Sequence, residues 1–212
     1  MRSSLLPEPL NFSKCKSIEE QEKLAYDFFC KEIKDQNKRE KYNGKVIFLE
    51  LTPPYFDGKE EVFQHLTGID ESRKYKVDPC VDSTDRVNYE CLTRGTADNI
   101  PPNQRILCLY RARTLPWFNS VIRMANLKNE YIKIFTKKQK NSRNNSLLIR
   151  FQHETVDYLI VLRKNKRDNY KLVTAYPITL NSKKRQLDRE YIRNKKAESD
   201  LVDSVSPYTH GI

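Results

Sequence analysis

Apolar side chains near the start of the chain recur every three or four residues, which is the period of an α-helix. Six of them follow this period between Ile18 and Ile33. Ser17 and Glu20 have the spacing of a capping box, in which each satisfies a backbone amide of the first turn. The pattern therefore predicts a helix that begins at Ser17. Gly44 is predicted to end this helix by adopting a left-handed conformation.

Shorter elements are predicted between residues 45 and 127. The run KVIFLEL at 45–51 precedes two prolines, which favours a strand. Residues 59–68 predict a short helix with its apolar positions inward and a glycine as its stop. Residues 70–101 have few apolar side chains and predict an irregular insertion. Helices are expected again over 103–113 and, opened by a proline, over 116–127.

From residue 130 the apolar runs become short and β-prone. Four of them, EYIKIF, SLLIRF, DYLIVLR and KLVTAYPI, are joined by short links, which predicts an antiparallel meander. The run YLIVL is apolar throughout, so we expect a central strand covered on both faces. A basic helix is predicted over 181–199.

The order of these elements predicts an α+β fold. We expect N-terminal helices packed on a twisted four-stranded antiparallel sheet, with a basic C-terminal helix. Residues 1–180 would form a single domain, helical over 1–127 and sheet over 128–180. Residues 181–212 would add the basic helix and a polar tail.

The charge is unevenly distributed. Of the net +11, residues 1–127 carry 20 Lys/Arg against 19 Asp/Glu, whereas residues 128–212 carry 19 against 9. A cationic second half suits a polyanionic partner, although a surface that simply favours lysine would look the same. The five cysteines have no zinc-ligand spacing, so we expect reduced thiols. No apolar run is long enough for a membrane span, and we expect a cytoplasmic protein without a membrane partner.

The chain lacks the usual cofactor and metal motifs. It has no phosphate-binding glycine loop, no dinucleotide fingerprint and no paired carboxylates in its basic half. We therefore expect no cofactor and no metal, so any nuclease chemistry would need a proton carrier with cations or hydroxyls around the phosphate. The histidines are His65, His153 and His210, and each could also be an ordinary structural or exposed residue.

Several short motifs resemble one nuclease group. The run EVFQHLTGI, followed later by DYLIVLR and YKLVTAYPI, resembles the phage- and mobile-element-associated nucleases of the Barnase–EndoU–colicin–RelE-like superfamily. The resemblance covers residues 45–180. It implies a small metal-independent ribonuclease with helices packed on a twisted antiparallel sheet. Many such proteins are toxins against RNA, tRNA in several cases, and leave 2′,3′-cyclic phosphate and 5′-hydroxyl ends.

The resemblance also implies a set of catalytic residues. His65 would carry the proton, Arg163 would neutralise the phosphate oxygens, and the hydroxyls of Thr174 and Tyr176 would bind the phosphate or orient the base. His153 is a competing candidate for the proton carrier. Without the resemblance, Arg163 could equally begin a solvated turn, and Thr174 and Tyr176 could be ordinary strand residues.

Further basic residues are predicted to contact nucleic acid, and the C-terminal helix would clamp the RNA backbone or be covered by an acidic antitoxin or immunity protein. A non-catalytic nucleic-acid-binding module is the alternative function, and an inhibitor or adaptor protein is a third. The predicted nucleic-acid contacts are Arg150, Lys164, Lys166, Arg167, Lys183, Lys184, Arg185 and Arg189.

Overall fold

The computed structural model describes residues 3–51, 58–70, 105–138, 145–165 and 169–205. The predicted irregular insertion at 70–101 lies almost entirely outside these residues. In chain order, the elements are α1 (Ile18–Phe28), a π-helical segment (Phe29–Lys34), β1 (Ile47–Phe48), α2 (Glu61–Thr67), β2 (Gly68–Asp70), β3 (Arg105–Leu107), α3 (Leu109–Arg113), α4 (Trp117–Asn126), β4 (Ile132–Lys138), β5 (Asn145–His153), β6 (Val156–Lys164), β7 (Tyr170–Pro177) and α5 (Asn181–Val205).

The first helix begins where the sequence predicts and ends earlier. The Ser17 side chain accepts a hydrogen bond from the backbone amide of Glu20, as expected for an N-cap. The helical segment stops at Lys34, because the next residue is extended. Gly44 does not end the helix. It lies at φ +73° in a tight turn with Asn43, where both residues need the left-handed conformation.

The sheet contains the predicted meander and one additional strand. Its strand order is β1-β7-β6-β5-β4, and the four consecutive strands β4 to β7 pair antiparallel. Strand β1 is shorter than the predicted 45–51 and pairs parallel with β7. The sheet is therefore mixed and five-stranded, which corrects the expectation of four antiparallel strands; the α+β class is confirmed.

Another correction concerns residues 103–113, which were predicted as one helix. Arg105–Leu107 form β3 and pair antiparallel with β2, and only Leu109–Arg113 are helical. A short apolar run is compatible with either a strand or a buried helix, so its period does not decide between them. Here β2, the extended segment just after α2, provides a pairing partner, and this contact makes Arg105–Leu107 a strand.

Each face of the sheet has its own apolar cluster. The larger cluster joins the N-terminal helices to Phe151, Tyr158 and Ile160. The smaller one lies on the opposite face, where Leu187 of α5 packs against the sheet; we call this the α5 face. Strand β6 contributes to both clusters, so the prediction of a central strand covered on both faces is confirmed. Within the described residues, no helix combines the length and apolarity that a membrane span needs.

Candidate functional site

The β6–β7 hairpin presents three of the predicted residues on one face. Val161 pairs with Thr174, and the neighbouring pair Leu159 and Tyr176 follows the same register. Arg163 lies two residues beyond Val161 on β6, so it shares that face. Cross-strand partners point to the same side, and Leu159 and Val161 belong to the cluster under α5. Arg163, Thr174 and Tyr176 therefore all lie on the α5 face.

Helix α2 lies beside β7 and brings His65 to this hairpin. The core side of α2 is formed by Val62, Phe63 and Leu66, which are buried. The imidazole of His65 lies at the border of this core side, one turn after Glu61, and is half-buried. The hydroxyl of Thr174 donates to the backbone carbonyl of His65, with 2.9 Å between the two oxygens. The predicted phosphate-binding hydroxyl thus fastens the helix that carries the histidine.

A cavity of about 130 Å³ opens between α2 and the hairpin. Its charged lining comes from two distant parts of the sequence, residues 50–65 and 163–171. Three of the lining side chains are basic or imidazole groups and two are carboxylates, which gives a mixed site able to bind an anion and move a proton. The lining residues are Glu50, Glu61, Val62, His65, Arg163, Lys171, Leu172 and Val173.

The two carboxylates contact the cavity's basic groups. Glu61 lies one helical turn before His65, and its Oε1 is 3.3 Å from Nε2 of the imidazole. Glu50 forms an ion pair with Lys171. Sequence reasoning missed Glu61, Glu50 and Lys171. The i, i+4 spacing of Glu61 and His65 on one predicted helix was a usable signal for the first.

A network of charges fixes the start of α2. Glu60 accepts hydrogen bonds from the hydroxyl of Tyr26, at 2.9 Å, and from the ammonium of Lys34. Burial acts to raise the pKa of Glu60, but the hydrogen bond from Lys34 and further contacts outweigh it and hold the pKa below the ordinary value. Lys59 pairs with the buried Glu22 of α1 at 3.3 Å. These contacts tie α2 to the N-terminal helices.

Tyr176 lies outside the cavity and contacts a residue that the sequence did not single out. The guanidinium carbon of Arg111, on α3, lies over the ring at 4.5 Å from its centroid. The same guanidinium donates to the carbonyl oxygen of Gly68 at 2.7 Å. Tyr176 follows Thr174 by two residues, or roughly 7 Å along the strand.

The structure does not bring His153 to the cavity. His153 pairs with Val156 at the opposite end of β6 from Arg163, a separation of roughly 23 Å along the strand. Its Nδ1 is 2.9 Å from the hydroxyl oxygen of Ser3, and its ring packs against Tyr131. These contacts connect the N-terminal segment to the β5–β6 hairpin. The third histidine, His210, lies outside the described residues.

Arg150 is buried, which corrects its prediction as a nucleic-acid contact. Its guanidinium is fully enclosed and donates to both carboxylate oxygens of Asp157, at 2.8 and 2.6 Å, and to Asp188 at 2.8 Å. Burial acts to lower the pKa of Arg150, but these carboxylates outweigh it and raise the pKa. Because Asp188 belongs to α5, Arg150 fastens that helix to the sheet and cannot reach a phosphate.

The remaining predicted contacts differ in exposure. Lys164 is exposed, whereas Lys183 and Lys184 are half-buried; Lys166 and Arg167 lie outside the described residues. On α5, four exposed cations follow one another at intervals of three or four residues, so they form a single row along the helix. We call this row the outer basic stripe; it consists of Arg185, Arg189, Arg193 and Lys196.

Comparisons of the chain with known protein families, with curated proteins and with solved structures found no match. Among the residues that the structure describes, no group of three or more His, Cys, Asp or Glu side chains could hold a metal ion. The site is therefore interpreted from its own geometry.

Proposed function

We propose that this protein is a metal-independent endoribonuclease that cleaves RNA at the cavity between α2 and the β6–β7 hairpin. The observation that carries the proposal is the meeting of His65, Arg163 and Lys171 around one cavity. A proton carrier and two cations beside one anion-sized space are the components that phosphodiester cleavage needs when no metal takes part.

The reaction uses the 2′-hydroxyl of the RNA as the nucleophile. The 2′-oxygen forms a bond to phosphorus and loses its proton, and the bond from phosphorus to the 5′-oxygen breaks as that oxygen gains a proton. The products are a 2′,3′-cyclic phosphate and a 5′-hydroxyl end. His65 carries the proton that the 2′-oxygen loses and the 5′-oxygen gains, and Glu61 orients the imidazole. Arg163 and Lys171 stabilise the negative charge that develops on the phosphate oxygens.

The surroundings of the cavity support an RNA substrate. The second half of the chain, which supplies Arg163 and Lys171 to the cavity, carries a charge balance of +10. The outer basic stripe on α5 and Lys164 at the end of β6 supply further exposed cations for the backbone. Structured RNA, including tRNA, is the substrate class we propose. A role as a toxin, with an antitoxin or immunity protein as partner, rests on the resemblance of the short motifs to toxin nucleases.

The test is cleavage of total and transfer RNA by purified protein in the presence of EDTA, with chemical identification of the new ends. We expect 5′-hydroxyl and cyclic phosphate ends. His65→Ala and Arg163→Ala should each lower the rate by on the order of 100-fold or more, while thermal melting confirms that both variants fold. His153→Ala is the matched control and should retain activity, because that imidazole lies on β5, at the opposite end of β6 from Arg163.

Two outcomes would overturn the proposal. RNA that stays intact in every buffer would exclude the nuclease, and binding of that intact RNA would favour the non-catalytic module. A His65→Ala protein as active as the wild type would exclude the proposed site. Loss of activity in His153→Ala instead would move the chemistry to the other imidazole.

A further inference from the structure

We infer that Arg111 and Tyr176 form a subsite that receives the unpaired base of a nucleotide next to the cleaved phosphate. The inference rests on the proposed function, since it identifies a second contact between the same site and its RNA. It assigns a specificity-determining role to Arg111, which lies outside the cavity.

The position of the pair relative to the cavity suits a neighbouring nucleotide. Tyr176 and Thr174 share one face of β7, and Thr174 is hydrogen-bonded to the backbone of His65. Arg163 pairs with Lys171 and Leu159 pairs with Tyr176, so Tyr176 lies four residues of β6, or roughly 13 Å, from Arg163 along the sheet. An RNA strand with its phosphate held by the long side chain of Arg163 can extend along β7 in this direction, and the base of the adjoining nucleotide then reaches the ring and the guanidinium above it.

The chemistry of the pair suits a base better than a phosphate. Arg111 lies over the Tyr176 ring at 4.5 Å, and a hydrogen bond to the carbonyl of Gly68 fixes its guanidinium. A guanidinium held in this way offers a flat cationic surface, and unpaired bases stack on arginine planes as they do on aromatic rings. Both side chains are half-buried, so each keeps part of its surface in contact with solvent.

A structural role for Arg111 makes a different prediction. If the residue only connected α3 to the end of α2, its replacement would weaken folding and slow cleavage equally at every sequence. A base subsite predicts a loss that depends on the identity of the base. Lysine separates the two chemistries, because it keeps the charge and a donor for the Gly68 carbonyl but has no plane for stacking.

The experiment uses the whole chain and a 2′-O-methyl oligouridine, which cannot be cleaved because its 2′-oxygens are blocked. The oligonucleotide contains a single 2-aminopurine, whose fluorescence falls when the base stacks. Wild type and His153→Ala, whose imidazole does not line the cavity, should bind and quench it alike. Arg111→Lys and Tyr176→Leu should bind about fivefold or more weakly and lose the quenching. On cleavable RNA with one randomised position beside the cut, Arg111→Lys should flatten the base preference.

Equal quenching by wild type and Arg111→Lys would overturn the inference, because charge alone would then explain the contact. An equal loss of cleavage by Arg111→Lys for all four bases at the randomised position would also overturn it. If Arg111→Lys melts far below the wild type, Tyr176→Leu decides by the same criteria. Binding and quenching without any cleavage would refute the proposed ribonuclease and leave the subsite standing, so the two failures are distinguishable.

Discussion

At the scale of single residues, the cavity holds opposite charges in contact. Glu50 forms an ion pair with Lys171, and Glu61 lies against His65. A carboxylate oxygen beside an ammonium occupies the place that a phosphate oxygen takes in a complex. The side chain of Glu50 is 53% exposed, so it can leave Lys171 when a stronger anion arrives. If the proposed function is correct, RNA has to displace Glu50 from Lys171 when it binds.

This competition predicts that Glu50→Gln increases RNA affinity. The amide keeps the size of the side chain and removes its charge, so RNA binds without breaking an ion pair. Because the pair is exposed, we expect a gain of only about threefold to fivefold, corresponding to up to about 1 kcal/mol. Fluorescence anisotropy with a labelled RNA at two salt concentrations measures it.

Glu40→Gln is the matched control for this prediction. Glu40 pairs with Arg123 on the surface and does not line the cavity, and its substitution changes the net charge by the same amount. An equal gain in both variants would mean that the overall charge, and not the release of Lys171, governs affinity.

At the scale of elements, α2 is a seven-residue helix held by tertiary contacts at both ends. Helices of this length do not persist on their own in water. Glu60 fixes the beginning through Tyr26 and Lys34, and Thr174 and Arg111 donate to carbonyls near the end. The position of His65 therefore depends on contacts that lie away from the cavity.

The Glu60 contact predicts a dependence of stability on pH. The pKa of Glu60 in the folded protein is held below its ordinary value of 4.5. Its ionised form therefore stabilises the fold fully above the unfolded pKa, and that contribution is lost as the pH falls through the folded pKa. At pH 7, Glu60→Gln should lower the free energy of unfolding by about 2 kcal/mol, since it removes charge-assisted hydrogen bonds.

Urea unfolding of both proteins between pH 7 and pH 3 measures this effect. The difference between wild type and Glu60→Gln should shrink as the pH falls below 4.5. A difference that stays constant over this range would show that the carboxylate charge contributes nothing and that the shape of the side chain explains the loss.

The elements with a strong apolar period were predictable from the sequence. Helix α4 and strands β4 to β7 carry their own patterns, so local sequence was enough to find them. Strands β1 and β3 were not delimited correctly. They have only two and three residues, and what makes them strands is a partner elsewhere in the chain.

The site was predictable only in part, for a related reason. His65, Arg163 and Thr174 were selected through short motifs, and the fold places them close to one another. Lys171 and Glu50 were missed because they belong to the site only through strand pairing and an ion pair across the sheet edge. Arg150 looked like an exposed cation because nothing in the local sequence reveals that Asp188, 38 residues later, covers it.

At the scale of the whole molecule, the charge excess lies in the sheet and in α5. The acidic side chains Asp188 and Glu190 of α5 face the sheet, where they pair with Arg150 and Lys137. The outer basic stripe of the same helix is exposed. In the part of α5 whose side chains the structure describes, these two carboxylates pair with the sheet and the cations of the stripe point outward, which favours a directional positive field on this side of the molecule.

This arrangement predicts that the outer basic stripe contributes several phosphate contacts. Replacing its four cations by glutamine should weaken RNA binding and reduce the magnitude of the slope of log K against log salt by about 3, since fewer phosphate contacts release fewer counterions on binding. The matched control replaces Lys14, Lys16, Lys23 and Lys38, four exposed lysines of the N-terminal region, and should leave the slope nearly unchanged. Both variants lose the same charge, so only position distinguishes them. Equal slopes would mean that the field acts through total charge and that α5 is no docking surface for RNA.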